Sequence, residues 1–361
     1  MKPTLETILN ELMLLVYESE QYHQESENEA QQAFSQTLAD VRQMLAEMRR
    51  RTLAASKRYV VAIVGLSNVG KSTLLNALFG QDLAPRRNGP CTAAPIEFVY
   101  GDQYQVSVHY FTSIRRPVWP CADTESVHER LKALADSSGA EQSRTIKRVI
   151  VHAPLPLLKN GLVIADTPGF GAAQLDGAEG SHEESLKAYL RDAVSQVFWT
   201  VNQGSIGKTE IDFHDSFFGH FCDDVIVNVR TEGEEYTQKN KEDFIKRFSK
   251  HFQHRLPTFH FVEAKLGLKA RKKDDDEALE AAGIPAIETR VQSLAEIEGR
   301  VKGIENALLE LAKELRDKYA DYCSEYDVRR TVFWRPDSFD RWSAACGGNV
   351  LHDALTEILT F

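Results

Sequence analysis

The chain has 361 residues, more than one compact core usually holds, so a large domain with a smaller module, or two domains, is expected. Hydrophobic residues at 42% and aromatics at 9% exclude a wholly disordered chain. The 43 basic and 53 acidic residues leave a formal charge of −10, which argues against a general polyanion binder, nucleic acid included.

From Met1 to about Arg58 the sequence is helical in character, with no glycine and no proline after Pro3. Phe34, Leu38, Val41, Leu45 and Met48 fall on one heptad seam, and Val301, Ile304, Leu308, Leu311 and Leu315 form a second. The expectation is that the two helices pack together as a neck; the alternative is that each covers a face of the central sheet. Between them, β-rich apolar runs at 59–64, 96–100, 105–111, 147–153, 161–165, 196–201, 225–229 and 258–262 alternate with helical stretches. The helices are expected at 71–79, 124–136, 183–193, 208–218, 239–252 and 287–294. That alternation predicts an α/β fold with a doubly wound, mostly parallel sheet. The expected organisation is a helical neck segment at 1–56, the α/β domain at 57–295, and a second neck segment leading into a trunk at 296–361. Gln174 to Glu184 reads as a mobile polar stretch, and the charge run Arg271 to Glu277 as a solvated loop.

The five cysteines (Cys91, Cys121, Cys222, Cys323 and Cys346) are scattered and never spaced as CxxC. Neither a disulfide frame nor a zinc site is suggested, and a reducing, cytoplasmic setting fits. The apolar run Leu12 to Val16 is too short for a signal core, and no stretch approaches the roughly 18 apolar residues of a membrane span. Any membrane contact is therefore expected to be peripheral.

The motif with the most chemistry is Gly65-Leu-Ser-Asn-Val-Gly-Lys-Ser72, set between the strand 59–64 and a helix. Gly65 and Gly70 let the backbone curl so that successive N–H groups, including those of Ser67, Asn68 and Val69, face phosphate oxygens at a positive helix end. Lys71 reaches the β- and γ-phosphates, Ser72 is a Mg²⁺ ligand, and Thr73 continues the cradle into the helix. Leu162-Val-Ile-Ala-Asp-Thr-Pro-Gly169 ends a second strand: Asp166 is suited to hold Mg²⁺ through water, and the Gly169 N–H to bond the γ-phosphate. Together they predict a nucleoside triphosphatase switch. The loop around Pro90-Cys-Thr92 lies where a switch segment meets metal and γ-phosphate, which makes Thr92 the candidate second Mg²⁺ ligand.

These segments, with Thr73-Leu-Leu-Asn-Ala-Leu-Phe-Gly80 and the lead-in Pro154-Leu-Pro-Leu-Leu-Lys-Asn-Gly161, resemble the GTPase domain of dynamin-like proteins, particularly bacterial ones, over roughly residues 57–320. The resemblance implies GTP and GDP as ligands, hydrolysis with Mg²⁺, nucleotide-dependent homodimerisation, and movement of the neck, with membrane remodelling as the use. It also implies a longer trunk than 296–361 provides, so a trunk from a partner dynamin-like subunit or a longer chain is expected.

Relatives read guanine with an Asn/Thr-Lys-x-Asp element, which here is degenerate. Within Val225 to Glu232 one register keeps Asn228 but puts Thr231 at the acidic position; the preferred one uses Arg230 and Glu232 as cationic stem and carboxylate. The last base-contacting loop is expected at Glu263-Ala264-Lys265. Where Ras-like switches carry a water-orienting glutamine this chain has Phe170, so catalysis must be arranged differently. Asn68 stands where potassium-dependent relatives carry a cation-binding asparagine. The expectation is that Asn68 binds K⁺ and that a face-to-face dimer completes a site whose catalytic residues are Lys71, Thr92 and Asn68. Arg86 and Arg87 are candidate arginine fingers or solvated loop residues. The basic group Arg49, Arg50, Arg51, Lys57 and Arg58 reads as a solvated helix end, with anionic lipid as the alternative. Competing functions are an Era-like switch acting on RNA, which should carry a basic RNA module not visible here, and a nucleotide-binding scaffold with little turnover.

Overall fold

The computed structural model describes residues 58–85, 94–111, 116–137, 146–170, 179–204, 206–219, 222–230, 236–251 and 256–296, with scattered positions between 13 and 49. The chain divides into two compact units, Arg58–Glu296 and a second made of Met1–Lys57 with Ile297–Phe361. Within the second unit, Leu38 and Leu45, one heptad apart, are fully buried. There Arg42 grips Glu20 with two charged hydrogen bonds of 2.7 and 3.2 Å. The C-terminal seam lies outside the described residues.

The larger unit is built on one nine-stranded sheet in the order β4-β3-β5-β2-β6-β1-β7-β8-β9. Its strands are β1 (Val60–Val64), β2 (Ile96–Tyr100), β3 (Gln105–Tyr110), β4 (Val118–Pro120), β5 (Ile146–Ala153), β6 (Val163–Asp166), β7 (Gln196–Asn202), β8 (Asp224–Asn228) and β9 (Thr258–Val262). The helices are α1 (Lys71–Phe79), α2 (Thr124–Ser137), α3 (Glu179–Ala193), α4 (Lys208–Phe217), α5 (Gln238–Phe248), α6 (Ala264–Arg271), α7 (Asp276–Ala281) and α8 (Ile284–Ala295). From β6 through β1 and β7 to β9 every pairing is parallel, whereas β2 runs antiparallel to β6 and β3 antiparallel to β5 and β4. The expected parallel α/β sheet is thus present with an antiparallel extension. Among the described residues no helix is long and apolar enough to cross a membrane.

All five residues of β1 are buried. Val60, Ala62 and Val64 share one cluster with Leu186 and Leu190 of α3, Phe213 of α4, and Phe244 and Phe248 of α5. Successive side chains of a strand point to opposite faces, so the equally buried Val61 and Ile63 show that the other face is covered too. This explains why β1 reads as a continuous apolar run rather than an alternating one.

Two helices begin earlier than expected. Helix α3 begins at Glu179, inside the stretch expected to be mobile, and α8 begins at Ile284 because Pro285 sits in its first turn, where no N–H partner is lost. The run 271–277 is exposed from Lys272 onward, as expected, but only 272–275 form a turn: α6 ends at Arg271, and Asp275 caps α7 by accepting from Ala278 N at 3.0 Å. Arg271 donates to the Ala77 carbonyl of α1 at 3.3 Å and pairs with Glu288 of α8.

Two buried carboxylates brace the sheet. Glu97 of β2, fully shielded from solvent, pairs with Arg58 at 2.6 Å and accepts from Tyr189 Oη at 2.9 Å. Arg58 is therefore an internal ion-pair partner and neither a solvated helix end nor a lipid contact. Burial, then the neighbouring Glu97 charge, pushes the Tyr189 phenol well up. At the start of β8, Asp224 accepts from Arg290 Nε and Nη2 at 3.0 and 2.9 Å and from Gln196 Nε2 at 3.0 Å, with His260 Nε2 at 2.8 Å. Tyr59 Oη in turn donates to Gln196 Oε1 at 3.0 Å, tying the entrance of β1 to the same cluster.

Candidate nucleotide-binding site

The site lies at the carboxyl end of β1, between β6 and β7, where the sheet order runs outward in both directions and leaves a crevice. β1 ends at Val64, the loop Gly65–Gly70 turns through Asn68 at φ 64° and Gly70 at φ 98°, and α1 starts at Lys71. Both positive angles lie in the left-handed region, where Gly is unstrained and Asn is the best tolerated residue with a Cβ. A Cβ at Gly65 would lie 2.2 Å from the Thr200 carbonyl, and one at Gly70 2.2 Å from Asn228 Nδ2, so contact calls for both glycines and backbone geometry for Gly70 as well.

Lys71 crosses the loop and donates to the carbonyls of Gly65 at 3.0 Å and Leu66 at 2.8 Å. Burial lowers its pKa, and the Asp166 charge opposes that shift. Ser72 Oγ donates to Asp166 Oδ2 at 2.6 Å, which brings together the two residues expected at the metal. The other oxygen of Asp166, Oδ1, is buried with no hydrogen-bond partner among the described residues. Burial pushes the Asp166 carboxyl up, against the pull of Lys71 and of the Ser72 hydroxyl. A Mg²⁺ ion takes a few hard oxygens and keeps several waters, so a hydroxyl and a carboxylate with a spare buried oxygen fit it. Among the described residues no group of three or more His, Cys, Asp or Glu forms another metal cluster. Thr92, Arg86 and Arg87 lie outside the described residues.

After β6 the chain returns to the cradle. Thr167 Oγ1 donates to the Ile63 carbonyl at 2.7 Å, Leu66 bridges Phe170, and a Cβ on Gly169 would lie 2.4 Å from Ser67 Oγ. Gly169 therefore rests directly on the phosphate loop, and any larger residue must part the two segments. Phe170 is buried and stacks on Phe213 of α4, centroids 4.4 Å apart and planes 10° apart. Its ring faces the core and has no means of holding water.

Ser67 and Asn68 are exposed at the loop apex, Val69 is buried beneath it, and Thr73 is partly buried in α1. At the base end Asn228 and Arg230, one from each of the two registers, both reach the phosphate loop. Asn228 Nδ2 donates to the Val69 carbonyl at 2.6 Å, and Asn228 Oδ1 accepts from Ala264 N at 3.3 Å, joining the phosphate loop to the start of α6. Ala264 is buried and Lys265 exposed in the first turn of α6, so this expected loop is the opening of a helix. Arg230 points to the phosphate loop, its Nη2 donating to the Asn68 carbonyl at 2.9 Å. Glu232 lies outside the described residues. Gln203, which sequence reasoning missed, holds Arg230; nothing in the motif pattern around it marks it. Replacing Asn228 by alanine is expected to cost about 1–3 kcal/mol by orphaning a buried carbonyl and amide. Chemical denaturation would read the loss, and an unchanged midpoint would remove Asn228 from this role.

Residues 61–208 match the model of the Dynamin family. The "Bacterial dynamin-like protein" of Nostoc punctiforme is 31% identical over 132 residues, 34% of this chain and 18% of that protein. "Dynamin-like protein 2" of Campylobacter jejuni is 28% identical over 130 residues, 36% of this chain and 20% of its own length. The chain thus matches about a fifth of the length of these curated relatives. A solved structure of an oligomerised bacterial dynamin pair, described as sensing and tethering membranes at long range, is 19% identical with a TM-score of 0.49, covering 89% of this chain and 47% of that one. The cradle, Asp166 and Gly169 all lie inside the matched segment, and it is this part of the chain that is similar to the GTPase domain of dynamin-family proteins.

Proposed function

We propose that the chain binds GTP with Mg²⁺, hydrolyses it to GDP and phosphate, and uses the cycle to control a homodimer and the helical unit formed by the chain ends. The observation that carries this reading is the buried Lys71 beside the Ser72–Asp166 pair at the mouth of a left-handed, glycine-turned loop. The loop amides and Lys71 bind the phosphates. When bound, Mg²⁺ would be held by Ser72, Asp166 and Thr92 and would supply positive charge against the β- and γ-phosphate oxygens. Gly169 rests on Ser67, so a γ-phosphate in the cradle acts on the segment that leads through Phe170 to α4.

Hydrolysis also needs an oriented water. The stacked Phe170 has no polar atom for it, and we assign the missing group to a second copy facing this one, with K⁺ held by the exposed Asn68. The setting is cytoplasmic or at a membrane surface, where a partner dynamin-like subunit would supply further trunk. Turnover per molecule is then expected to rise with protein concentration and to be faster in KCl than in NaCl, as measured by phosphate release. A rate insensitive to both would rule out the dimer and the cation. Binding of GTP with no multiple turnover under any of these conditions would instead favour a nucleotide-binding scaffold.

A further inference from the structure

Arg230 is an exposed cation at the edge of the nucleotide crevice, the place where a base-reading residue is sought, yet its hydrogen bonds run elsewhere. Its Nη2 donates to the Asn68 carbonyl at 2.9 Å. Its own main chain is clasped by one carboxamide: Arg230 N donates to Gln203 Oε1 at 2.9 Å, and Gln203 Nε2 donates to the Arg230 carbonyl at 3.0 Å. β7 and β8 are paired as far as Asn202 and Asn228. The Gln203 side chain therefore carries that pairing two residues past the end of β8, as a third strand residue would, and holds Arg230 at a fixed distance from the loop.

A trans peptide is planar, with its C=O and the next N–H pointing in opposite directions. No peptide in the described chain is cis. Fixing the Asn68 carbonyl on Arg230 therefore turns the Val69 N–H the other way, into the cradle. The neighbouring Val69 carbonyl, held by Asn228, turns the Gly70 N–H likewise. Asn68 is also the loop's non-glycine residue at positive φ, a conformation that persists only where surrounding contacts hold it.

We infer that Arg230, clasped by Gln203, is a positioning residue that shapes the phosphate cradle through Asn68 and does not read the base. This rests on the cradle being a nucleotide site, and two measurements on the full-length chain separate the two ideas. In the nucleotide-free protein, hydrogen exchange of the peptide spanning Gly65–Ser72 is expected to speed up in both Arg230→Ala and Gln203→Ala; unchanged exchange overturns the inference whether or not nucleotide binds. Calorimetric titration with Mg²⁺ and GTP, ATP or inorganic tripolyphosphate is expected to show Arg230→Ala weakening all three by the same factor, about tenfold for one lost charged hydrogen bond. Gln203→Ala should reproduce most of that factor, the double variant should be no worse than Arg230→Ala, and Arg230→Lys should recover part of it. A loss confined to GTP, or fully multiplicative losses in the double variant, would overturn the assignment. Failure of the unaltered chain to take any of the three ligands would instead sink the nucleotide reading itself, with exchange still deciding what Arg230 does.

Discussion

Lys71→Ala is expected to weaken GTP binding by roughly 100- to 10,000-fold, the worth of about two charged hydrogen bonds to phosphate, and to bring phosphate release to background. The ammonium group is already held at the loop by two main-chain carbonyls, those of Gly65 and Leu66, so little ordering is needed when phosphate arrives. Burial lowers its pKa. Raising the pH therefore discharges Lys71 earlier than an exposed lysine, and affinity should fall on the alkaline side before surface lysines titrate. Isothermal titration of GTP at neutral and alkaline pH reads both effects. Full affinity in Lys71→Ala would remove the loop from the site altogether.

The largest effect on stability is expected at Asp224. Replacing it with alanine leaves Arg290 without its carboxylate and removes acceptors from Gln196 and His260 in one step. Breaking one partner out of a buried ion pair costs about 3–5 kcal/mol, which for a domain of this size is roughly 6–20 °C in melting temperature. Burial pushes this carboxyl up, but the hydrogen bonds from His260 and Arg290 and the charge of both outweigh it, and the net shift is downward. A carboxyl depressed in the folded state stabilises fully above the ordinary carboxylate range, and that stabilisation is lost as the pH falls through the depressed folded value. Acid should therefore narrow the gap between the parent protein and Asp224→Ala, and melting curves from neutral to acid pH would show it. A constant gap across that range would mean that the stabilisation does not come from the ionised Asp224 carboxylate.

Local patterns carried the phosphate-loop half of the candidate site. Gly65, Gly70, Lys71, Ser72, Asp166 and Gly169 stand in two short motifs, and each motif needs only its own strand and turn to be recognised. The hydrogen bond from Ser72 to Asp166 joins these two motifs and follows from β1 and β6 being parallel neighbours. The base end was less legible. Whether Asn228 or Arg230 leads the recognition segment depends on which side chain reaches the loop, and β8 meets that loop only in three dimensions. The partner of Arg271 was illegible for a related reason: Glu288 lies on α8 and meets α6 only in three dimensions.

By itself, then, the sequence determined most of the strand and helix order, though not β4, α6 or α7, together with the glycine-turned loop and the want of a polar residue at 170, because glycine conformations, strand periodicity and side-chain chemistry are local properties. Tertiary structure decided that Phe170 is stacked into the core, that Asp224 and Glu97 are buried with their partners, and that Arg230, clasped by Gln203, holds the Asn68 carbonyl. Each of those contacts joins residues far apart in the chain. Their geometry is set by the parallel order of β6, β1, β7 and β8, which no short window of residues encodes.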